Sequence, residues 1–386
     1  MVYLDYQSAK PVDNRVLESM IPYFNKDFGN PSSLHSVGDI ATNALDRART
    51  AVAHFINAQP EEIIFTSGAT ESNNLALIGF AQRHRKKGDH IIMTEIEHIS
   101  LHNIAKYLVK LGFSVDKVPV DPYGKVDPRK VQERLIPGTI LVSVGLANNE
   151  IGTIQPLAEI IELCHEKGIA VHTDAVAAEG LIDLDVKNTG IDMMTLSSND
   201  IYGPKGVGAL FIRDSIRLAP HILGGGQESG LRSGSENIPG IIGMARAADI
   251  MQQELGAEVS RFRTYRDIVI ESVLSTVPDA YLNGHPFDRL ANNAHFRFDG
   301  IEGESLLLAL KDKGFAVSTG SACSSKTLEP SHTLIATGLL HEEAHGSLEI
   351  TIGRFTKKND IDEVAYVIPA VVKRLRKLSP LYKEKS

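Results

Sequence analysis

The sequence predicts an α/β fold around a buried, mostly parallel sheet, and three observations lead there. Six short apolar runs, EEIIFTSGAT, DHIIMTEIEH, TILVSVGLANNE, GIAVHTDAV, MMTLSSND and GVGALFIR, recur along the first 213 residues. Runs this short, apolar without strict alternation, fit strands covered on both faces. Longer amphipathic segments lie between them; ATNALDRARTAVAHFI repeats its apolar residues at helical spacing. The third observation is size. A chain of 386 residues, 42% hydrophobic and 23% charged, can bury a core in two or three domains at roughly 150 residues each.

Taken in order, the alternation persists through GVGALFIR and fades after the glycine-rich stretch at 224–240. A long helical pattern follows, and the domain boundary is expected within it, near residue 255. Residues 15–255 would form the large α/β domain. Residues 1–14 would join 256–386 in a smaller α+β domain. That second unit holds the strand candidates NNAHFRFDG and SLEITIG, a Gly/Ser-rich loop carrying Cys323, and a C-terminal helix from about Asn359.

Charge and thiol content narrow the function classes. The formal net charge of −8, from 40 basic and 48 acidic residues, argues against a direct nucleic-acid or anionic-membrane partner. Two cysteines, Cys164 and Cys323, cannot make a disulfide framework, so a reducing, cytoplasmic setting is expected. No run of 18 apolar residues occurs, so no membrane span is expected. The basic run Lys373–Lys377 fits the end of the last helix.

Open α/β sheets bind ligands at the carboxyl ends of their strands. Ala69 and Thr70, His98, Asn148, Asp174 and Ser197 all follow strand candidates. Thr66–Thr70 alone reads as an ordinary helix start. Beside His98 and Asp174 it suits pyridoxal phosphate: a helix N-terminus for the phosphate, an aspartate for the pyridine nitrogen and a ring to stack on the cofactor. His98 and His102 have the spacing of a metal pair but lack an evident third ligand. Gly224–Gly226 with Arg232 and Ser235 is either a linker or an anion cradle. Arg354 is either a carboxylate clamp or a solvated surface residue. Cys164, in IIELCHEKG, reads as core. Cys323 lies among small residues without periodicity, where Lys326 or His332 would favour its thiolate.

Ten ordered motifs carry a resemblance: YLDYQSAKPVD, FGNPSSLHS, FTSGATESNN, EIEHIS, ANNEIGTIQP, HTDAV, SSNDIYGPKGVGALFIR, GGGQESGLRSGSENIPG, STGSACSS with LEPSH, and ITIGRFT. Together they closely resemble the cysteine desulfurases of the NifS/IscS type, nearly end to end. The resemblance implies a fold type I, pyridoxal-phosphate-dependent homodimer. It would turn L-cysteine into L-alanine and pass the sulfur, as a persulfide, to an iron–sulfur scaffold protein. By position, Cys323 would be the persulfide nucleophile and His98 the stacking acid/base. Ala69, Thr70 and Ser197 would bind the cofactor, with Asp174 at the pyridine nitrogen. Asn148 and Arg354 would hold cofactor oxygen and substrate carboxylate. Ser235, a threonine in most of the family, would reach the partner subunit's phosphate.

Four positions depart from the family pattern. Asn199 and Asp200 stand where the family has His and the lysine that holds the cofactor; Ala177 replaces a glutamine and Ser229 an arginine. An aspartate cannot form the covalent link, so cofactor binding without a lysine is expected. Two readings follow from the resemblance. One is a cysteine desulfurase. The other is a desulfurase-like assembly partner in which Cys323 carries persulfide or serves as a transient [2Fe-2S] ligand with a scaffold. A third reading, a different enzyme of this fold, has the Gly-Ser-Ala-Cys loop against it.

Overall fold

The computed structural model describes residues 1–320, 330–380 and 382; Cys323 and Lys326 lie outside them. The strands are β1 (Val2–Tyr3), β2 (Ile63–Thr66), β3 (His90–Thr94), β4 (Ser114–Val118), β5 (Thr139–Ser143), β6 (Ala170–Asp174), β7 (Met193–Ser197), β8 (Gly208–Ile212), β9 (Ala280–Leu282), β10 (Asn293–Phe298), β11 (Phe315–Ala316) and β12 (Ser347–Thr351). Seven form one sheet in the order β2-β8-β7-β6-β5-β3-β4. The pairs β4–β3, β3–β5, β5–β6 and β6–β7 are parallel, while β8 runs antiparallel to both neighbours. The apolar runs are these strands, and GVGALFIR is the antiparallel one. β2, β3, β5, β7 and β8 are buried at every residue, the pattern of a sheet covered on both faces.

A buried polar rail crosses the sheet. His172 on β6 reaches Ser143 Oγ at 2.9 Å with Nδ1 and Thr195 Oγ1 at 3.1 Å with Nε2. With both nitrogens satisfied, burial pushes its pKa down to about 3, so the ring stays neutral.

The helix Ile238–Thr276 joins two cores. Its residues up to Met251 pack with Val52, Phe65 and Phe211, whereas Phe262, Val269 and Val273 pack with Phe296, Phe298 and Ile368. The boundary expected near residue 255 lies on this helix. The second core covers a three-stranded antiparallel sheet, β12-β10-β9. NNAHFRFDG and SLEITIG supply β10 and β12, and the C-terminal helix runs Lys358–Leu378.

The N-terminal segment touches both units. β1 pairs in parallel with β11, and Leu4 joins the second core. Tyr6 packs in the first core, and Asp13 caps the helix Asn14–Met20. Gly353 is required here, since a Cβ would lie 2.1 Å from the Tyr6 ring. Among the described residues no helix is long and apolar enough to cross a membrane.

Candidate active site

A cavity of about 240 Å³ opens at the carboxyl ends of β3, β5, β6 and β7. Ala69, His98, Asn148, Asp174 and Ser197 line it, as the sequence places them, together with Ala177, Asn199 and Asp200.

One wall begins the helix Ala69–His84. Its N-cap is Gly68, with φ 146° and no capping side chain, so the first-turn N–H groups have no side-chain acceptor. Gly208 explains part of this tight approach: a Cβ there would lie 2.7 Å from Gly68 Cα. An N-terminus without a side-chain cap can accept an anionic oxygen. Glu71 in the same turn accepts from Ser67 N at 2.8 Å and pairs with Arg232 at 3.0 Å. Burial would raise its pKa, but these two partners outweigh it and hold the carboxylate ionised. The glycine-rich segment is therefore tied down by Arg232. Thr70 and Ser235 are exposed and lie outside the cavity lining.

His98 caps the helix Ile99–Lys110. Its Nδ1 accepts from Ser100 N at 3.2 Å and lies 2.8 Å from Ser100 Oγ, fixing the ring. With Nδ1 as acceptor, Nε2 carries the proton of the neutral ring. His102 lies deeper, with both nitrogens without hydrogen-bond partners and its ring 4.8 Å, edge-on, from His332. Burial pushes its pKa down to about 4, with Lys117 and His332 adding to the effect. Among the described residues no three His, Cys, Asp or Glu converge as a metal site.

Asp174 ends β6. Asn73 Nδ2 donates to its Oδ2 at 2.8 Å and Val176 N to its Oδ1 at 3.1 Å, fixing the plane of the carboxylate. Asn148 is already committed: Nδ2 donates to Ile96 O at 2.9 Å, and Oδ1 accepts from Glu150 N and Ile151 N at 3.0 and 2.9 Å. Its amide holds the turn after β5, and the second Nδ2 hydrogen is the one left for a ligand.

Arg354 is placed differently from the expected carboxylate clamp. It does not line the cavity. Nε and Nη2 clasp Glu258 at 2.8 and 3.0 Å, Nη1 reaches Asp13 at 2.8 Å, and the guanidinium carbon lies 4.5 Å from the Tyr202 ring centroid. Glu254 adds an ion pair at 3.2 Å. Three carboxylates on two other elements saturate the planar fork.

Three buried groups of the site escaped the sequence reading. Glu97 lines the cavity, accepts from Thr94 Oγ1 at 2.6 Å and Gly145 N at 3.1 Å, and burial raises its pKa to about 7. Glu179 accepts from Ser197 N at 2.6 Å, and burial raises its pKa well above the usual range. Lys10, 6% exposed, lies against Asp200. Their signal is invisible locally, because charged residues read as surface until the tertiary fold buries them. Cys164 is a buried free thiol whose pKa burial pushes up to about 12, as an inert core residue requires.

The class-V aminotransferase family model matches residues 2–364. The chain belongs to that family. It is 55% identical, over 99% of its length and all of the relative's, to "Cysteine desulfurase IscS 1" of Archaeoglobus fulgidus. It is 46% identical to "Cysteine desulfurase IscS" of Methanosarcina thermophila, covering 98% of this chain and 94% of that one. A solved "NIFS-LIKE PROTEIN" superposes with a TM-score of 0.91 at 35% identity, covering 97% and 100% of the two chains. Another, "SspA in complex with cysteine", superposes with a TM-score of 0.82 at 34% identity, covering 91% and 99%. Within the family, this chain is similar to its NifS/IscS-type cysteine desulfurases along its whole length, and its fold is that of the fold type I enzymes.

Proposed function

We propose that the protein is a cysteine desulfurase: it converts L-cysteine to L-alanine and loads the sulfur onto Cys323 for an iron–sulfur scaffold protein. The observation carrying this reading is the joining of His98, Asp174 and the first turn of Ala69–His84 around one cavity. The donor set fits pyridoxal phosphate held without a covalent bond. Ala69 and Thr70 would meet the phosphate, Asp174 the pyridine nitrogen and His98 the ring face. No Lys or Arg lines the cavity among the described residues, so nothing there offers an amine for attachment.

When bound, the cofactor supplies the electron sink that labilises the bonds at the substrate's α-carbon. Asp174 would pair with the pyridine nitrogen and favour its protonated form. His98 would lie against the ring face, with Nε2 available for proton transfer. Asp200, facing the cavity, is the group to take up and return the substrate's α-proton. The Cys323 thiolate attacks the substrate sulfur; the carbon–sulfur bond breaks, its electron pair stays on carbon, and a proton completes alanine. The sulfur remains on Cys323 as a persulfide.

The chain is read as a cytoplasmic homodimer. Phe24, Phe28, Leu34 and Leu223 are 64 to 103% exposed, which supports a second copy as their cover; by the resemblance, Ser235 would then reach the partner's phosphate. A second reading, in which the shell serves mainly as an assembly partner with Cys323 carrying persulfide or ligating a [2Fe-2S] cluster, is supported by Asp200 at the position where the family has its cofactor lysine.

The test measures alanine and persulfide from purified protein given pyridoxal phosphate, L-cysteine and a thiol reductant. Wild type is expected to release alanine, and Cys323→Ala to release none. Equal alanine from both would remove Cys323 from the mechanism. No alanine from wild type, with cluster assembly still dependent on Cys323, would favour the assembly-partner reading.

A further inference from the structure

Asp200 does not stand alone. It sits on the turn Ser198–Ile201 after β7 and faces the cavity, yet it is buried. Behind it, arriving from the N-terminal segment 190 residues away, is Lys10. The Lys10 Nζ donates to the Asp200 backbone oxygen at 2.5 Å, lies 4.0 Å from Asp200 Oδ1 and sits 5.4 Å over the Tyr202 ring. The main chain is fastened as well: Lys10 N donates to Asn199 Oδ1 at 3.4 Å, and Lys205 Nζ donates to Lys10 O at 3.1 Å.

We infer that Lys10 is a positioning residue that keeps Asp200 charged and turned toward the cavity, so that the carboxylate can take and return a proton there. This rests on the desulfurase reading for its chemistry but not for its geometry. The cavity lining otherwise crowds acids: Glu97, Asp174, Asp200 and Glu349 face it, with no Lys or Arg among the described residues. Charges of like sign drive such carboxyls to protonate, and a protonated Asp200 is no base. A cation within 4 Å opposes that.

The charged groups around the pair enter the balance, and the Lys205 ammonium on the Lys10 carbonyl adds a cation beside it. Facing Lys10 are Asp200, Glu179 and Glu258, with Arg354 opposing; facing Asp200 are Lys10 and Asp174, with hydrogen bonds from Ser197 and Asn199, and Glu179 lies next to it. Burial pushes the Lys10 amine down and the Asp200 carboxyl up, each toward its neutral form; their mutual attraction works the other way on both. In the proton transfer, Asp200 becomes a carboxylic acid and then releases the same proton, while Lys10 stays an ammonium throughout. Lys10 therefore touches no reacting atom.

The decisive measurement is thermal melting of the protein without cofactor from pH 5 to 9, for wild type, Lys10→Met, Lys10→Arg, Asp200→Asn and the Lys10→Met/Asp200→Asn double variant. Without Lys10, Asp200 holds its proton in the folded state well above the unfolded value of about 3.9. The unfolded chain then binds fewer protons, so Lys10→Met loses stability relative to wild type as pH rises. Asp200→Asn leaves Lys10 uncompensated and gives the mirror image, recovering toward wild type as pH rises. Lys10→Arg and the double variant show neither slope. If Lys10→Met does not fold, the Asp200→Asn slope still decides. Melting curves that run parallel to wild type in both single variants overturn the inference.

These melts need no activity, so failure of the desulfurase reading leaves them intact. In an active enzyme, Lys10→Met moves the acid limb of alanine release up by about 2 pH units, as loss of a neighbouring opposite charge does, and Lys10→Arg restores it. An unmoved limb overturns the inference as well, since a purely structural Lys10 would lower the rate without shifting the profile.

Discussion

Replacing Arg354 with Ala tests where that side chain is engaged. In the structure it makes hydrogen bonds of 2.8 and 3.0 Å to Glu258 and 2.8 Å to Asp13, with its own side chain and those two partners all at most 9% exposed. Glu254, at 36% side-chain exposure, is screened and contributes little. Removing one member of a buried ion pair costs about 3–5 kcal/mol, because the carboxylate left behind is buried and unpaired. Asp13 retains Arg15 at 2.8 Å, and Glu258 retains Arg261 at 3.9 Å, which places the loss at the low end, ~3 kcal/mol. With an unfolding entropy of about 2.1 cal/mol/K per residue over 386 residues, this lowers the melting temperature by ~4 °C. The assay is differential scanning fluorimetry on the cofactor-free protein, paired with KM for cysteine. The Arg354→Ala/Glu258→Ala double variant should recover part of the loss, since it removes the stranded charge. An unchanged melting temperature with a raised KM would refute the ion-pair account and return Arg354 to the role of carboxylate clamp.

Two further outcomes follow from the buried site groups. Glu97 has a folded pKa of about 7, raised by burial, against about 4.3 in the unfolded chain; its contribution is therefore full below about pH 4.3 and lost as pH rises through 7, by up to ~4 kcal/mol. Glu97→Gln should flatten this fall in melts across that window, and an unchanged slope would show that Glu97 titrates normally. Asn199→His with Asp200→Lys should raise alanine release only when Lys10→Met is added, because the new lysine would otherwise meet the Lys10 amine across the 4.0 Å ion-pair contact. Equal gains with and without Lys10→Met would contradict the placement of Lys10.

Local sequence rules reach the elements of this fold because burial on both faces leaves a local signature. The runs ending at Thr94, Ser143, Asp174 and Ser197 each stop where polar residues take over, and those ends are the rim of the cavity. The direction of GVGALFIR was not legible. A strand covered on both faces reads the same in either direction, and only its pairing with Met193–Ser197 and Ile63–Thr66 makes it antiparallel. The bonds of the Asn148 amide were not legible either, because its three backbone partners become neighbours only when the turn after Ser143 closes.

By itself the sequence determined the layered α/β architecture, the order of the polar strand ends and the family. Apolar periodicity and motif order are properties of short stretches of chain. The tertiary structure alone decided which charges face one another. Lys10 and Asp200 are separated by 190 residues, Arg354 and Asp13 by 341, and Glu258 and Arg354 by 96. An ion pair's worth depends on distance and on exclusion of water, and neither is written in either residue's neighbourhood along the chain. A lysine and an arginine that read as ordinary polar residues thus become the partners of buried carboxylates only after the two cores close around them.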